Sequence, residues 1–464
     1  MANINSIDDD FESLRARLHR AIPGGAHTYS RGDDQFPALA PPLFVRGKGA
    51  YAWDSRDNRY LDYGMALRAV TLGYGDPRVN AAAAKEMDRG VNLTRASLTE
   101  LEAAETLIDL IPSVEMVKFG KNGSNVTTAA VKIARAYTGK RYVCIPRQQP
   151  FFSFDDWFIG TTALKRGIPS DQASTTLVFD YNDIESLRTL FHAHPGEIAA
   201  VMLEPATTLI PCPSVCARKD DWPGATGCAA CDCNPQNFLQ QVQSLCRAEG
   251  ALFVLDEMIT GFRWHLQGAQ TFFGVQPDIT TFGKGMANGF SVAAVGGRRE
   301  VMEVGAIDRP GMERTFLLST THGAEMTGLG AFMATVGIYK EEDVTGHLWR
   351  YGKQLCSGMR DVADRHGLAG HFQLDGPAIS LNYLTRDAAG NVSLPYRTLF
   401  AQELLKRGVM MPWIAISQSH GAGELQLTLD ALDGALAVYA QALDGGIENF
   451  LQGPAIRPVF RTHN

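Results

Sequence analysis

Leu252-Phe253-Val254-Leu255-Asp256-Glu257-Met258-Ile259-Thr260-Gly261-Phe262-Arg263, followed by Asp278-Ile279-Thr280-Thr281-Phe282-Gly283-Lys284-Gly285, is the stretch that decides the fold. Four apolar residues run straight into Asp256, and a second apolar run ends in Gly283-Lys284-Gly285. Each reads as a buried parallel strand that delivers one polar group from its C-terminal end. In an open α/β sheet ligands sit at that edge, so the aspartate and the lysine are expected to converge on one crevice. Singly, an Asp-Glu after an apolar strand marks a helix start, and a Gly-Lys-Gly marks a solvated turn. As a pair they point to pyridoxal phosphate, with a lysine amine to form a Schiff base and an aspartate to keep the pyridine nitrogen protonated, so that the ring acts as an electron sink.

Upstream, Ala199-Ala200-Val201-Met202-Leu203-Glu204-Pro205 is another apolar strand ending in an acid. Val117 to Gly120 reads as a strand, Lys121 to Asn125 as a turn, and Val126 to Tyr137 as an Ala-rich helix. A Gly-Ser turn at a helix N-terminus offers amides, a hydroxyl and the favourable end of the helix dipole to an anion, which makes Gly123, Ser124 and Asn125 a candidate phosphate cradle. Thr99 to Glu102 reads as a capping box opening a helix to about Leu110. Phe11, Leu14, Leu18 and Ile22 lie at helical spacing over residues 9–21, and residues 50–54 and 59–63 alternate as a hairpin.

These motifs together resemble the class III pyridoxal-phosphate aminotransferases, and within them the group around glutamate-1-semialdehyde aminomutase, from about Ile22 to about Leu432. The resemblance implies an α/β fold of type I. Residues 76–329 are then a large domain with a mainly parallel, seven-stranded sheet. Residues 1–75 and 330–464 supply a smaller α+β domain from both termini. It implies that Lys284, Asp256 and Glu204 are catalytic, that Lys284 and Asp256 also hold the cofactor, that Phe151 stacks on the ring with Met258 on the opposite face, and that Glu204 stands close to cofactor and substrate. Phe152 and Ser153 replace a histidine and a glycine of the family. Arg31 falls where the aminomutase supplies an arginine to the substrate carboxylate. Thr321, in Phe316-Leu317-Leu318-Ser319-Thr320-Thr321, falls where a threonine reaches the cofactor phosphate of a neighbouring chain, which implies a homodimer.

The sequence departs from the aminomutase at Leu67-Arg68, where that enzyme has an aromatic and a glycine. A cation at Arg68 can meet an acidic or phosphorylated substrate, or pair with a structural carboxylate. Near Met410-Met411-Pro412-Trp413 no residue matches the aminomutase's glutamate. The expectation is therefore an aminotransferase acting between a small-molecule amino donor and a carbonyl acceptor. An intramolecular aminomutase and a non-catalytic protein that binds pyridoxal phosphate or metal are the alternatives.

Five of the eight cysteines crowd into residues 208–234: Cys212, Cys216, Cys228, Cys231 and Cys233. Four such thiolates are enough for a tetrahedral structural zinc site, and disulfides or an unligated loop are the competing readings. Charged residues are 20% and hydrophobic ones 45%, as in a soluble globular protein, and a net charge of -7 argues against a nucleic-acid surface. No apolar run approaches a membrane span, and the N-terminus is acidic where a signal peptide is basic, so a cytoplasmic enzyme is expected.

Overall fold

Seven strands build the sheet at the centre of the larger unit: β1 (Met116–Gly120), β2 (Tyr142–Pro146), β3 (Thr176–Phe179), β4 (Ile198–Leu203), β5 (Leu252–Asp256), β6 (Ile279–Phe282) and β7 (Ala293–Gly297). Their order in space is β1-β7-β6-β5-β4-β2-β3, parallel from β6 through β3, with β7 antiparallel to both its neighbours. This is the mainly parallel α/β sheet expected. Every residue of β4, β5 and β6 is buried. Continuous apolar runs rather than alternation are what a sheet covered on both faces demands. The computed structural model describes residues 10–207, 209–212 and 236–463.

The helix Gly123–Thr138 lies against β4, β6 and β7 and buries Val126, Ala129, Ala130, Ile133 and Ala134. Its alanines allow a close approach to the strands, and its three large buried aliphatics, Val126, Val131 and Ile133, contribute about 1.5–3 kcal/mol each by burial. The helix begins three residues earlier than the Ala-rich pattern indicates, because Asn122 caps it by accepting the Asn125 N–H at 3.0 Å. The capping box expected at Thr99 to Glu102 is replaced by Ser97, which accepts the Glu100 N–H and opens the helix Leu98–Leu110. Thr99 is instead buried, its hydroxyl donating to Glu86 at 2.7 Å.

The chain divides into two units, Arg68–Thr71 with Pro77–Trp349, and Met1–Leu67 with Leu72–Asp76 and Arg350–Asn464. The second unit carries a four-stranded sheet containing the hairpin of Tyr51–Asp54 and Arg59–Asp62, a two-stranded sheet, and the helices Phe11–Ala21, Leu394–Leu405 and Ala422–Gly445. Its core is tied by the buried Tyr63 hydroxyl, 2.6 Å from that of Tyr351 and 2.8 Å from that of Thr428. Among the described residues no helix is long and apolar enough to cross a membrane.

Candidate active site

Adjacent parallel strands bring their terminal polar residues together. Leu203 pairs with Leu255 across β4 and β5, so Glu204 and Asp256, the next residue on each strand, are neighbours at the C-terminal edge. Lys284 follows β6, the next strand over, after Gly283. Glu204 and Asp256 are both buried, and Lys284 is half-buried.

Asp256 is held from one side. The Met258 N–H donates to its Oδ1 at 3.0 Å, and the Thr281 hydroxyl donates to the same oxygen at 2.9 Å. Among the described residues no donor reaches Oδ2. Burial pushes its pKa up to about 6, with the two hydrogen bonds and the charge of Lys284 opposing. Glu204 has no such support: its carboxyl accepts no hydrogen bond from the described residues, and Oε2 is buried. Burial and then the charge of Asp256 push Glu204 up to about 8, against the pull of Lys284 and Arg68. Burial lowers the pKa of Lys284, and Glu204 and Asp256 raise it.

Two segments close around Met258. A side-chain carbon at Gly123 would lie 3.2 Å from the Met258 sulfur, and one at Gly283 would overlap it. Glycine therefore leaves room for this side chain where the helix start and the lysine loop meet it. Among the described residues the amides of Gly123 and Ser124 donate to no other protein group, whereas the Asn125 amide is taken by Asn122. The Ser124 hydroxyl accepts the Phe154 N–H at 3.0 Å. Phe151 is 46% exposed, its ring edge-on to Phe158, while Phe152 is buried in the core.

Arg68 reaches this unit through an unusual piece of backbone. Met65, Ala66, Leu67 and Arg68 all have positive φ, at 39°, 48°, 61° and 68°. Non-glycine residues in this left-handed region cost about 1–3 kcal/mol each, so the surroundings must enforce the turn. Two hydrogen bonds hold its far end: the Thr71 N–H donates to Asn288 Oδ1 at 3.1 Å, and Arg263 donates to the Thr71 hydroxyl at 3.2 Å. Sequence reasoning had no glycine to signal this turn. Arg68 is half-buried, and Glu204 is the acid that acts on it.

Arg31 lies in the other unit, exposed, on the wall of a cavity of about 900 Å³ that also includes Asp62 and Tyr74. Thr321 is exposed in the larger unit, its carbonyl accepting from Asn92 at 2.9 Å. Cys212 is half-buried, whereas Cys216, Cys228, Cys231 and Cys233 lie outside the described residues. Among the described residues no group of three or more histidines, cysteines and acids is arranged to hold a metal.

The model of the family described as aminotransferase class-III matches residues 29–209 and 222–414. The chain belongs to that family. Among its class III relatives is a glutamate-1-semialdehyde 2,1-aminomutase of Alkaliphilus oremlandii (strain OhILAs), 30% identical over 441 residues, covering 92% of this chain and 98% of the relative. Two solved structures are each 25% identical. The internal aldimine form of the Sphingopyxis sp. MTA144 FumI protein superposes with a TM-score of 0.80 over 94% of this chain and 97% of its own. An omega-transaminase from Sphaerobacter thermophilus gives 0.78 over 95% and 100%. The protein is thus a pyridoxal-phosphate-dependent enzyme of the class III transaminase family. Its residues fit the cofactor: Asp256 Oδ2 is an acceptor awaiting a donor, two helix N-terminal amides are available, and a lysine feels the charges of two buried acids.

Proposed function

We propose that this enzyme moves an amino group from an amino donor to a carbonyl-containing metabolite, with Lys284 carrying the cofactor. The observation that carries the reading is the placement of Lys284 beside Asp256 and Glu204, with Asp256 Oδ2 open. Bound pyridoxal phosphate would supply an electron sink for the carbon at which the amino group is exchanged. Asp256, as a carboxylate, holds the proton on the ring nitrogen. Lys284 Nζ takes a proton from one carbon and returns it to another, a task for an amine whose charge burial disfavours. The Gly123 and Ser124 amides and the start of their helix hold the phosphate, with Asn125 supporting the turn through its cap bond. Phe151 and Met258 flank the ring, and Glu204 positions the substrate amine.

Arg68 supports an acidic substrate. Among the described residues Glu204 is the one acid acting on this cation, and a substrate anion completes the charge balance. The larger unit serves as the cofactor-binding domain and the other as the small domain. Thr321, exposed in one chain, serves the cofactor phosphate of a second copy, which makes the active form a homodimer.

The aminomutase reading is supported by the 30% identity to an enzyme of that name. The visible absorption spectrum during addition of amino acids, one at a time, separates the readings. Conversion of the cofactor band to the pyridoxamine form by a donor, with retention of the amino group until a separate acceptor is added, is expected. Turnover of one substrate with no second reactant would instead establish the mutase. No band with added cofactor, or a band unaffected by Lys284→Ala, would overturn both.

A further inference from the structure

Gln149 lies between β2 and Phe151, at a position the cofactor reading leaves unused. Its side chain is 4% exposed, and both ends of its amide engage one residue. Nε2 donates to the Glu204 carbonyl and Oε1 accepts the Glu204 N–H, each at 2.7 Å. The next carbonyl, that of Pro205, accepts the Tyr181 hydroxyl at 2.6 Å. Three hydrogen bonds from elsewhere in the chain thus fix the residues at the end of β4, and none of them touches the Glu204 carboxyl. Gln149 thus takes up both the amide and the carbonyl of Glu204, while Oε2 of its carboxyl stays buried without a partner among the described residues. A buried amide that only filled space would be a poor choice, since leaving it unpaired costs about 1–3 kcal/mol and an apolar side chain has no such liability.

We infer that Gln149 is a positioning residue, which clamps the main chain of Glu204 so that its carboxyl stays within the field of Lys284 and Arg68. The inference rests on the reading of Lys284 as the residue that carries the cofactor. The groups that act on Glu204 or feel its charge are Asp256 on β5, Lys284 after β6, Arg68 on the left-handed turn, and Tyr181 after β3. A carboxylate held near Lys284 favours a positive charge there, and one that relaxes into water does so less.

The test is the pH titration of the cofactor absorbance in the holoenzyme, with thermal unfolding as a control for folding. Gln149→Met keeps the length and removes both hydrogen bonds, and Gln149→Asn keeps the polarity but shortens the reach. Either is expected to move the midpoint toward acid by about one pH unit. In a Glu204→Gln background the same substitution is expected to move it no further, the non-additivity of two residues acting through one contact. An unshifted midpoint, or an equal shift in both backgrounds, overturns the positioning role and leaves the cofactor reading standing. A wild-type protein that shows no cofactor band overturns both.

Discussion

The ends of β4 and β5 present two buried acids side by side, and their surroundings treat them differently. Asp256 accepts two hydrogen bonds on one oxygen, and its pKa settles at about 6. Glu204 accepts none from the described residues and is driven to about 8. At similar burial, two donors hold Asp256 down, whereas Glu204 has no donor among the described residues and is pushed further up by the charge of Asp256. On the proposed reading, hydrogen bonding and the neighbouring charge, more than burial, suit Asp256 to be a fixed anion for a ring nitrogen and Glu204 to be an acid that can change its charge.

The largest effect expected comes from removing the cation that faces both acids. Lys284→Ala should lower the half-reaction with any accepted amino donor by ~10³-fold or more, read by stopped-flow absorbance. Next, Asp256→Asn should weaken pyridoxal phosphate binding by roughly 100-fold, the loss of one charge-assisted hydrogen bond, while Glu204→Gln should change it by less than about 3-fold. Equilibrium dialysis of the cofactor decides, and equal losses in the two variants would erase the distinction between the strand ends.

A third prediction follows from the sign of the Glu204 shift. Its folded pKa lies above the unfolded value, so its contribution to stability is fully present below about 4.5 and is lost as pH rises through about 8. Glu204→Gln in the cofactor-free protein should accordingly be near neutral at pH 4.5 and stabilising by on the order of 2 kcal/mol at pH 8.5, measured by denaturant unfolding at each pH. The smallest effect should come from Thr281→Val, which removes one of the two Asp256 donors and makes β5 more like β4. Cofactor binding should weaken by ~5-fold at pH 6, where Asp256 is then less ionised, and less than that at pH 8.

The parts of this site that announce themselves in the sequence are those built from contiguous residues. Apolar runs into Asp256 and Lys284 are legible because buried parallel strands leave that pattern, and the crevice follows from sheet geometry. The helix starts at Gly123, three residues before the Ala-rich pattern, because Asn122, which reads locally as part of a turn, caps it. Thr99 has the composition of a cap, yet tertiary burial takes its hydroxyl to Glu86. Nothing local links Gln149 to Glu204, 55 residues away, so a clamp made by side chain on main chain is invisible before folding. The left-handed run at 65–68 is hidden for the opposite reason: Met, Ala, Leu and Arg carry no turn chemistry of their own.

That run also bears on how readily the enzyme can be redesigned. A glycine at Ala66 or Leu67 would relieve the local strain, yet it would also free the backbone that aims Arg68. On the proposed reading of Arg68 as a substrate contact, stability and selectivity are in opposition over these few positions. A library built there would trade heat tolerance against substrate choice, and the variants easiest to recover by screening for robustness would be those least able to discriminate.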